Sequence, residues 1–272
     1  MMLNSVTIGS GAPEVVFLHG LFGRGRNWTT IAQGISPSSS LLIDLPNHGW
    51  SPWTTQFSYT GMADAVADVL RSRDCPRSPI TLVGHSMGGK VAMLVALRYP
   101  ELVERLVVED IAPVSESVGV LRPYSRALSR LDLTAIHSRA EADQALSDAI
   151  PDRRVRGFLL QGLQRTITGQ WSWQYNLPLL TSQIAMVGSW PAIEGRYLGP
   201  VLWIAGGASD HVRPAYHSKM KSYFPRVQIL TVKNAGHWVH SDAPQIVTEG
   251  IRRFISRPVP AHDEAVRTPA VV

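Results

Sequence analysis

Six short apolar runs punctuate the chain: EVVFLH (14–19), SLLIDL (40–45), ITLVGH (80–85), RLVVED (105–110), PVLWIAG (200–206) and VQILTV (227–232). They are rich in β-branched residues and bounded by Pro, Gly or Asn, which predicts buried strands. LNSVTIG (3–9) predicts an extra edge strand. Between these runs lie stretches with helical patterning: GRNWTTIAQGI, SYTGMADAVADVLRSR, MGGKVAMLVALRYPE and APQIVTEGIRRFISR. In the second, Met62, Val66, Val69 and Leu70 fall at helical spacing. Ser58 and Asp242 read as helix N-caps. Strands alternating with helices predict an α/β fold with a mostly parallel, doubly wound sheet covered on both faces.

The rhythm breaks from residue 113 to residue 196. That stretch has no clear buried strand. It carries an amphipathic helical pattern through Leu121, Leu128, Leu131, Phe158, Leu159 and Leu160, and then a tryptophan-rich part with Trp171, Trp173 and Trp190. The reading is a helical cap, 113–196, inserted into a core made of 1–112 and 197–257. The end of the chain, 258–272, has the composition of a disordered tail.

Composition narrows the class. The chain has 272 residues, 44% of them hydrophobic and 17% charged, as a globular enzyme would. No apolar run approaches the roughly 18 residues of a membrane span, and the first residues lack the basic and apolar regions of a signal peptide. The single cysteine, Cys75, has no partner for an internal disulfide and fits a cytoplasmic setting. The net charge of +5 comes from dispersed arginines without a nucleic-acid motif, so no nucleic-acid partner is expected.

The sharpest chemical signal is GHSMG (84–88), a G-x-S-x-G pattern between a strand run and a helix run. A serine on such a strand-to-helix turn projects its hydroxyl above the sheet. Ser86 is the candidate nucleophile. A serine hydroxyl needs a base and a group to orient that base. His237, in NAGHWVH after the last strand run, is the base candidate, and His240 reads as a surface or helix-cap residue. LHGLFG (18–23) follows the first buried run. There the N–H of Leu21, with the N–H of Met87, is placed to form an oxyanion hole. His19, His48 and His85 sit near strand ends without metal-ligand spacing, so no metal site is expected.

Two acids obey the order serine, acid, histidine. Asp110 ends the run RLVVED, and Asp210 follows the run PVLWIAG; both are expected at carboxyl ends of strands, where ligands bind in open α/β sheets. Side chains alternate along a strand, so only one of Glu109 and Asp110 is expected to face the site, with Glu109 turned to a helix or solvent.

LHGLFG, DLPNHGWS (44–51), GHSMGGK, VVEDIAPV and AGHWVH together resemble the α/β-hydrolase superfamily, and more narrowly the YbfF-like bacterial esterases and their eukaryotic relatives. QWSWQYNLPLL (170–180) extends the likeness through the cap, and Pro46 is a modest departure. The resemblance implies a sheet of about eight strands, no cofactor, and a Ser-His-Asp hydrolase acting on small-molecule esters or thioesters of small to medium acyl chains. It favours Asp110 as the acid, while the wider superfamily pattern favours Asp210. The expected pocket residues are His19, Gly20, Phe22, His85, Trp171, Trp173 and Trp238. A perhydrolase, a C–C bond hydrolase or a ligand-binding protein on the same fold are the competing readings.

Overall fold

The computed structural model describes residues 1–72, 79–119 and 121–258. Cys75 and the expected tail beyond Pro258 lie outside the described residues. The strands of the main sheet are β1 (Ser5–Ile8), β2 (Val15–Leu18), β3 (Ser40–Ile43), β4 (Ile80–His85), β5 (Val103–Glu109), β8 (Val201–Gly206) and β9 (Val227–Val232). A separate hairpin contains β6 (Leu163–Arg165) and β7 (Trp171–Trp173). The helices are α1 (Thr29–Gly34), α2 (Tyr59–Arg71), α3 (Met87–Arg98), α4 (Leu121–Arg130), α5 (Arg139–Leu146), α6 (Arg153–Leu159), α7 (Leu177–Ser182), α8 (Ile184–Gly188), α9 (His217–Tyr223), α10 (Val239–Asp242) and α11 (Pro244–Ile255).

The sheet runs β1-β3-β2-β4-β5-β8-β9. Every neighbouring pair is parallel except β1 with β3. Each of the six apolar runs supplies one parallel strand, and LNSVTIG supplies the antiparallel edge. Among the described residues the main sheet thus has seven strands rather than about eight.

Alternation along the strands divides the core in two. Val16, Leu18, Leu82, Leu106 and Val108 face one layer, which includes Met62, Val66 and Leu70 of α2. Val15, Phe17, Val83 and Val107 face the other, with Ile31 of α1 and Val247, Ile251 and Phe254 of α11. Ser58 caps α2 by accepting the Gly61 N–H at 3.0 Å. Asp242 does not cap a helix: its carboxylate turns back to accept the Gly236 N–H at 2.8 Å, and Ala243 precedes α11.

Between β5 and β8 the chain forms α4 to α8 and the β6–β7 hairpin. This segment grips the core through polar contacts, among them Asn176 Nδ2 on Asn47 Oδ1 at 3.1 Å and Tyr59 Oη on the Val187 carbonyl at 2.6 Å. β2 is where the strand order reverses: β3 lies on one side of it and β4 on the other. The carboxyl ends of β2 and β4 therefore open a crevice, the place where parallel sheets of this kind bind ligands.

Candidate active site

Ser86 sits between the last residue of β4 and the first of α3, with φ 52° and ψ −118°. A non-glycine residue held there costs on the order of 1–3 kcal/mol. The turn is tight because its flanks carry no side chains. A Cβ on Gly84 would lie 2.3 Å from the Gly88 carbonyl oxygen, and one on Gly88 would lie 2.5 Å from that of His19. The Ser86 N–H donates to the Glu109 carbonyl at 3.0 Å, which ties the turn to β5.

His237 lies in the loop between β9 and α10. Its Nε2 is 2.9 Å from Ser86 Oγ, and its Nδ1 is 2.8 Å from Asp110 Oδ2. The carboxylate accepts the Nδ1 proton, so Nε2 is left as the acceptor for the serine hydroxyl. Asp110 is fully buried, just beyond the end of β5, with φ 50°. Its Oδ1 accepts the Gly206 N–H at 2.8 Å, and Ser209 donates its hydroxyl to Oδ2. Burial pushes the Asp110 carboxyl up to about 6, against the hydrogen bonds from Ser209 and Gly206 that favour its charged form. Burial, together with the nearby His211 and His240, holds His237 well below the ordinary imidazole value. The His237 imidazole is therefore neutral at rest. Asp210 stands apart: its side chain is 88% exposed and its ion-pair partner is Arg213, at 3.7 Å.

The loop after β2 commits most of its amides. Gly23 N–H donates to the Gly20 carbonyl at 3.0 Å, and Phe22 N–H donates to His48 Nε2 at 3.2 Å. His48 can accept because its Nδ1–H donates to the Pro46 carbonyl at 3.0 Å, and burial lowers its pKa to about 3. That acceptor is main-chain, so the unusual proline costs the loop nothing here. The Leu21 N–H donates to no protein group among the described residues, and Leu21 lines the cavity beside Ser86. Met87 begins α3, where an N–H has no intrahelical acceptor.

Above Ser86 lies a cavity of about 220 Å³, lined mostly by apolar side chains from the core and the inserted segment, including Ile111, Leu121, Val155, Phe158 and Val187. Leu21, Phe22, His85, Met87 and Trp238 also line it. Four residues expected there do not. His19 is a latch between strands: its Nδ1 meets the Gly20 carbonyl at 2.8 Å, and its Nε2 accepts the Leu45 N–H at 2.9 Å. Gly20 packs under the His85 ring, where a Cβ would lie 2.7 Å from Nδ1. Trp171 packs under the Arg165 guanidinium, 4.5 Å from its ring centre, and Trp173 stacks on Tyr175 at 5.2 Å. Both tryptophans are packing residues of the inserted segment.

Three polar residues of the cavity wall escaped the sequence reading. His211 Nδ1 is 2.8 Å from Glu116 Oε2, and its ring centre lies 4.1 Å from that of His237. Burial works against its charged form, but the hydrogen bond and charge of Glu116 raise its pKa overall. Lys90, inside α3, donates to the carbonyls of Gly188 and Ser189 at 2.9 and 2.8 Å, and burial lowers it to about 8. The signal for Lys90 was its place one turn after the serine. Glu116 lies in an irregular stretch without periodicity.

Among the described residues, His85, Glu109 and His240 form a group whose ligating atoms lie within 4.8 Å of one another. These atoms already engage protein partners: Glu109 Oε1 meets His240 Nδ1 at 2.6 Å, and His85 Nε2 meets the His237 carbonyl at 2.9 Å.

Comparison with known proteins gives a consistent picture. The model of the alpha/beta hydrolase family matches residues 15–249. The sn-1-specific diacylglycerol lipase ABHD11 of Mus musculus is 39% identical over 252 residues, covering 90% of this chain and 81% of that protein. Esterase YbfF of Escherichia coli is 30% identical, covering 89% and 92%. A solved marine microorganism esterase superposes with a TM-score of 0.88 at 30% identity, covering 93% of this chain and 98% of its own.

Proposed function

Because the chain belongs to the alpha/beta hydrolase family, we propose that it is a serine-dependent carboxylic ester hydrolase, acting on esters or thioesters of small to medium acyl chains through an acyl-enzyme. The observation that carries this reading is the unbroken hydrogen-bond chain Ser86–His237–Asp110 opening into an apolar cavity. Ser86 Oγ attacks the ester carbonyl while His237 Nε2 takes its proton. Asp110 fixes the Nδ1–H tautomer and stabilises the imidazolium that forms. The N–H groups of Leu21 and Met87 hold the oxyanion, charge that appears only in the tetrahedral state. His237 then protonates the leaving alcohol or thiol. Water, deprotonated by the same imidazole, releases the acid and restores Ser86. The apolar wall receives the acyl chain.

A fluorophosphonate followed by peptide mapping tests this directly. The expected adduct is on Ser86, with loss of nitrophenyl-ester hydrolysis in step with labelling; full labelling elsewhere, or full labelling with activity retained, refutes the reading. The pH profile is a second test. Above its pKa of about 6 Asp110 is ionised and can hold the imidazolium; below it the carboxyl takes a proton and that support is lost. We therefore expect kcat/KM to fall on the acid side with a midpoint near pH 6 and to be level just above it, measured on a neutral ester whose own charge does not change.

A further inference from the structure

We infer that Glu109 is a positioning residue for the catalytic base, acting through His240, an inference that rests on the assignment of His237 as that base. Three residues stand close in sequence to the proposed triad: His85 precedes Ser86, Glu109 precedes Asp110, and His240 follows His237 by three residues. His85 and Glu109 are directly opposite in the β4–β5 ladder. Together the three clamp the main chain that carries His237.

The contacts are specific. Glu109 is fully buried, and its Oε1 accepts both the His240 backbone N–H, at 3.1 Å, and His240 Nδ1–H, at 2.6 Å. His85 Nε2–H donates to the carbonyl of His237 at 2.9 Å. The His240 ring is packed against Trp28, 4.5 Å between centres. The Glu109 carbonyl also accepts the Ser86 N–H. One residue thus holds the nucleophile's main chain with its carbonyl and the base's loop with its side chain, while its neighbour Asp110 holds the imidazole.

Burial of this carboxylate calls for an explanation. Removing a carboxylate from water is costly unless it is well paired. Here Glu109 Oε2 is buried without a hydrogen-bond partner, so the pairing is only half complete. A role confined to stability would be served as well by apolar side chains at both Glu109 and His240, since replacing a buried pair as a whole is often neutral or stabilising. A role in geometry would not, because only an acceptor at this point fixes the loop. Small displacements of a reacting group are expensive: about 1 Å can cost on the order of 10² in rate.

The test compares Glu109→Leu with Glu109→Gln in the full chain, using a nitrophenyl ester and enzyme concentrations set by fluorophosphonate titration of Ser86. We expect E109L to lose about 10² in kcat with KM within about twofold, and to melt below the parent because the His240 N–H and Nδ1–H lose their acceptor. E109Q keeps an oxygen acceptor for His240 and should recover most of that loss. Titrated E109L turning over at the parental kcat overturns the inference, as does E109Q falling as far as E109L. If E109L does not accumulate as folded protein, His240→Ala and His240→Asn carry the test. Asn retains a side-chain donor near the Nδ1 position and should exceed Ala by about tenfold in kcat; equal values overturn the inference. Failure of the triad reading looks different: the unmodified enzyme then takes no phosphonate on Ser86, whatever residue 109 is.

Discussion

Ser86→Ala should reduce kcat on a nitrophenyl ester by about 10⁶, close to 8 kcal/mol of lost transition-state stabilisation, as removal of the nucleophile does in a serine protease. KM should change little, because the serine oxygen adds almost nothing to ground-state binding of a neutral ester. The variant should fold normally. Alanine inherits the same strained turn at φ 52°, and the deletion removes one hydroxyl whose side-chain hydrogen bond, among the described residues, is to His237 alone. The remaining rate above the uncatalysed reaction should be of order 10³–10⁴, contributed by the oxyanion donors and binding alone. Steady-state rates at high enzyme concentration, with the melting temperature as a control, are the measurement. An S86A enzyme retaining more than about 1% of parental kcat would refute a covalent serine mechanism.

The parts of this architecture that were legible in the sequence are those in which one local pattern has one physical solution. Apolar β-branched runs such as EVVFLH and ITLVGH have to be buried on both faces, and each forms a parallel strand. The β6–β7 hairpin left no such trace: its strands are three residues long and only partly buried. The serine turn was legible because Gly84 and Gly88 are required by backbone approach rather than by side-chain chemistry. The roles of Glu109 and His240 were not. Side chains alternate only along an extended chain, and here the strand ends at Glu109 while Asp110 turns to φ 50°. Glu109 is turned to a helix as expected, but that helix is α10 with His240, so both acids engage histidines of one short segment, His237 and His240. His240 looked like a surface or cap residue because its partner is far away in sequence. The tryptophans misled for a similar reason: Trp171 and Trp173 mark the inserted segment, but their rings pack against arginine and tyrosine away from the cavity.

The rivalry between Asp110 and Asp210 has an equally sharp experimental form. Asp110→Asn should lower kcat by about 10⁴, by analogy with the same change in a serine protease, with the fold intact. The structure supplies the reason. Asp110 Oδ1 accepts the Gly206 N–H, while Oδ2 accepts from Ser209 and from His237 Nδ1. Asparagine has only one oxygen. Turning its amide nitrogen toward Gly206 would set two donors against each other, so the oxygen stays there and the NH₂ faces His237. That NH₂ donates to Nδ1, which drives the imidazole proton onto Nε2, where it points at Ser86 Oγ. The base then has no lone pair for the serine proton. Asp210→Asn has no such consequence. Its side chain is exposed, and its pairing with Arg213 at 3.7 Å is a surface contact of the kind worth at most about 1 kcal/mol, so kcat should stay within about twofold of the parent. A large loss in D210N together with a small one in D110N would transfer the orienting role to the exposed acid. It would also require the loop after β8 to rearrange in solution, since Asp110 rather than Asp210 now lies within hydrogen-bond distance of His237.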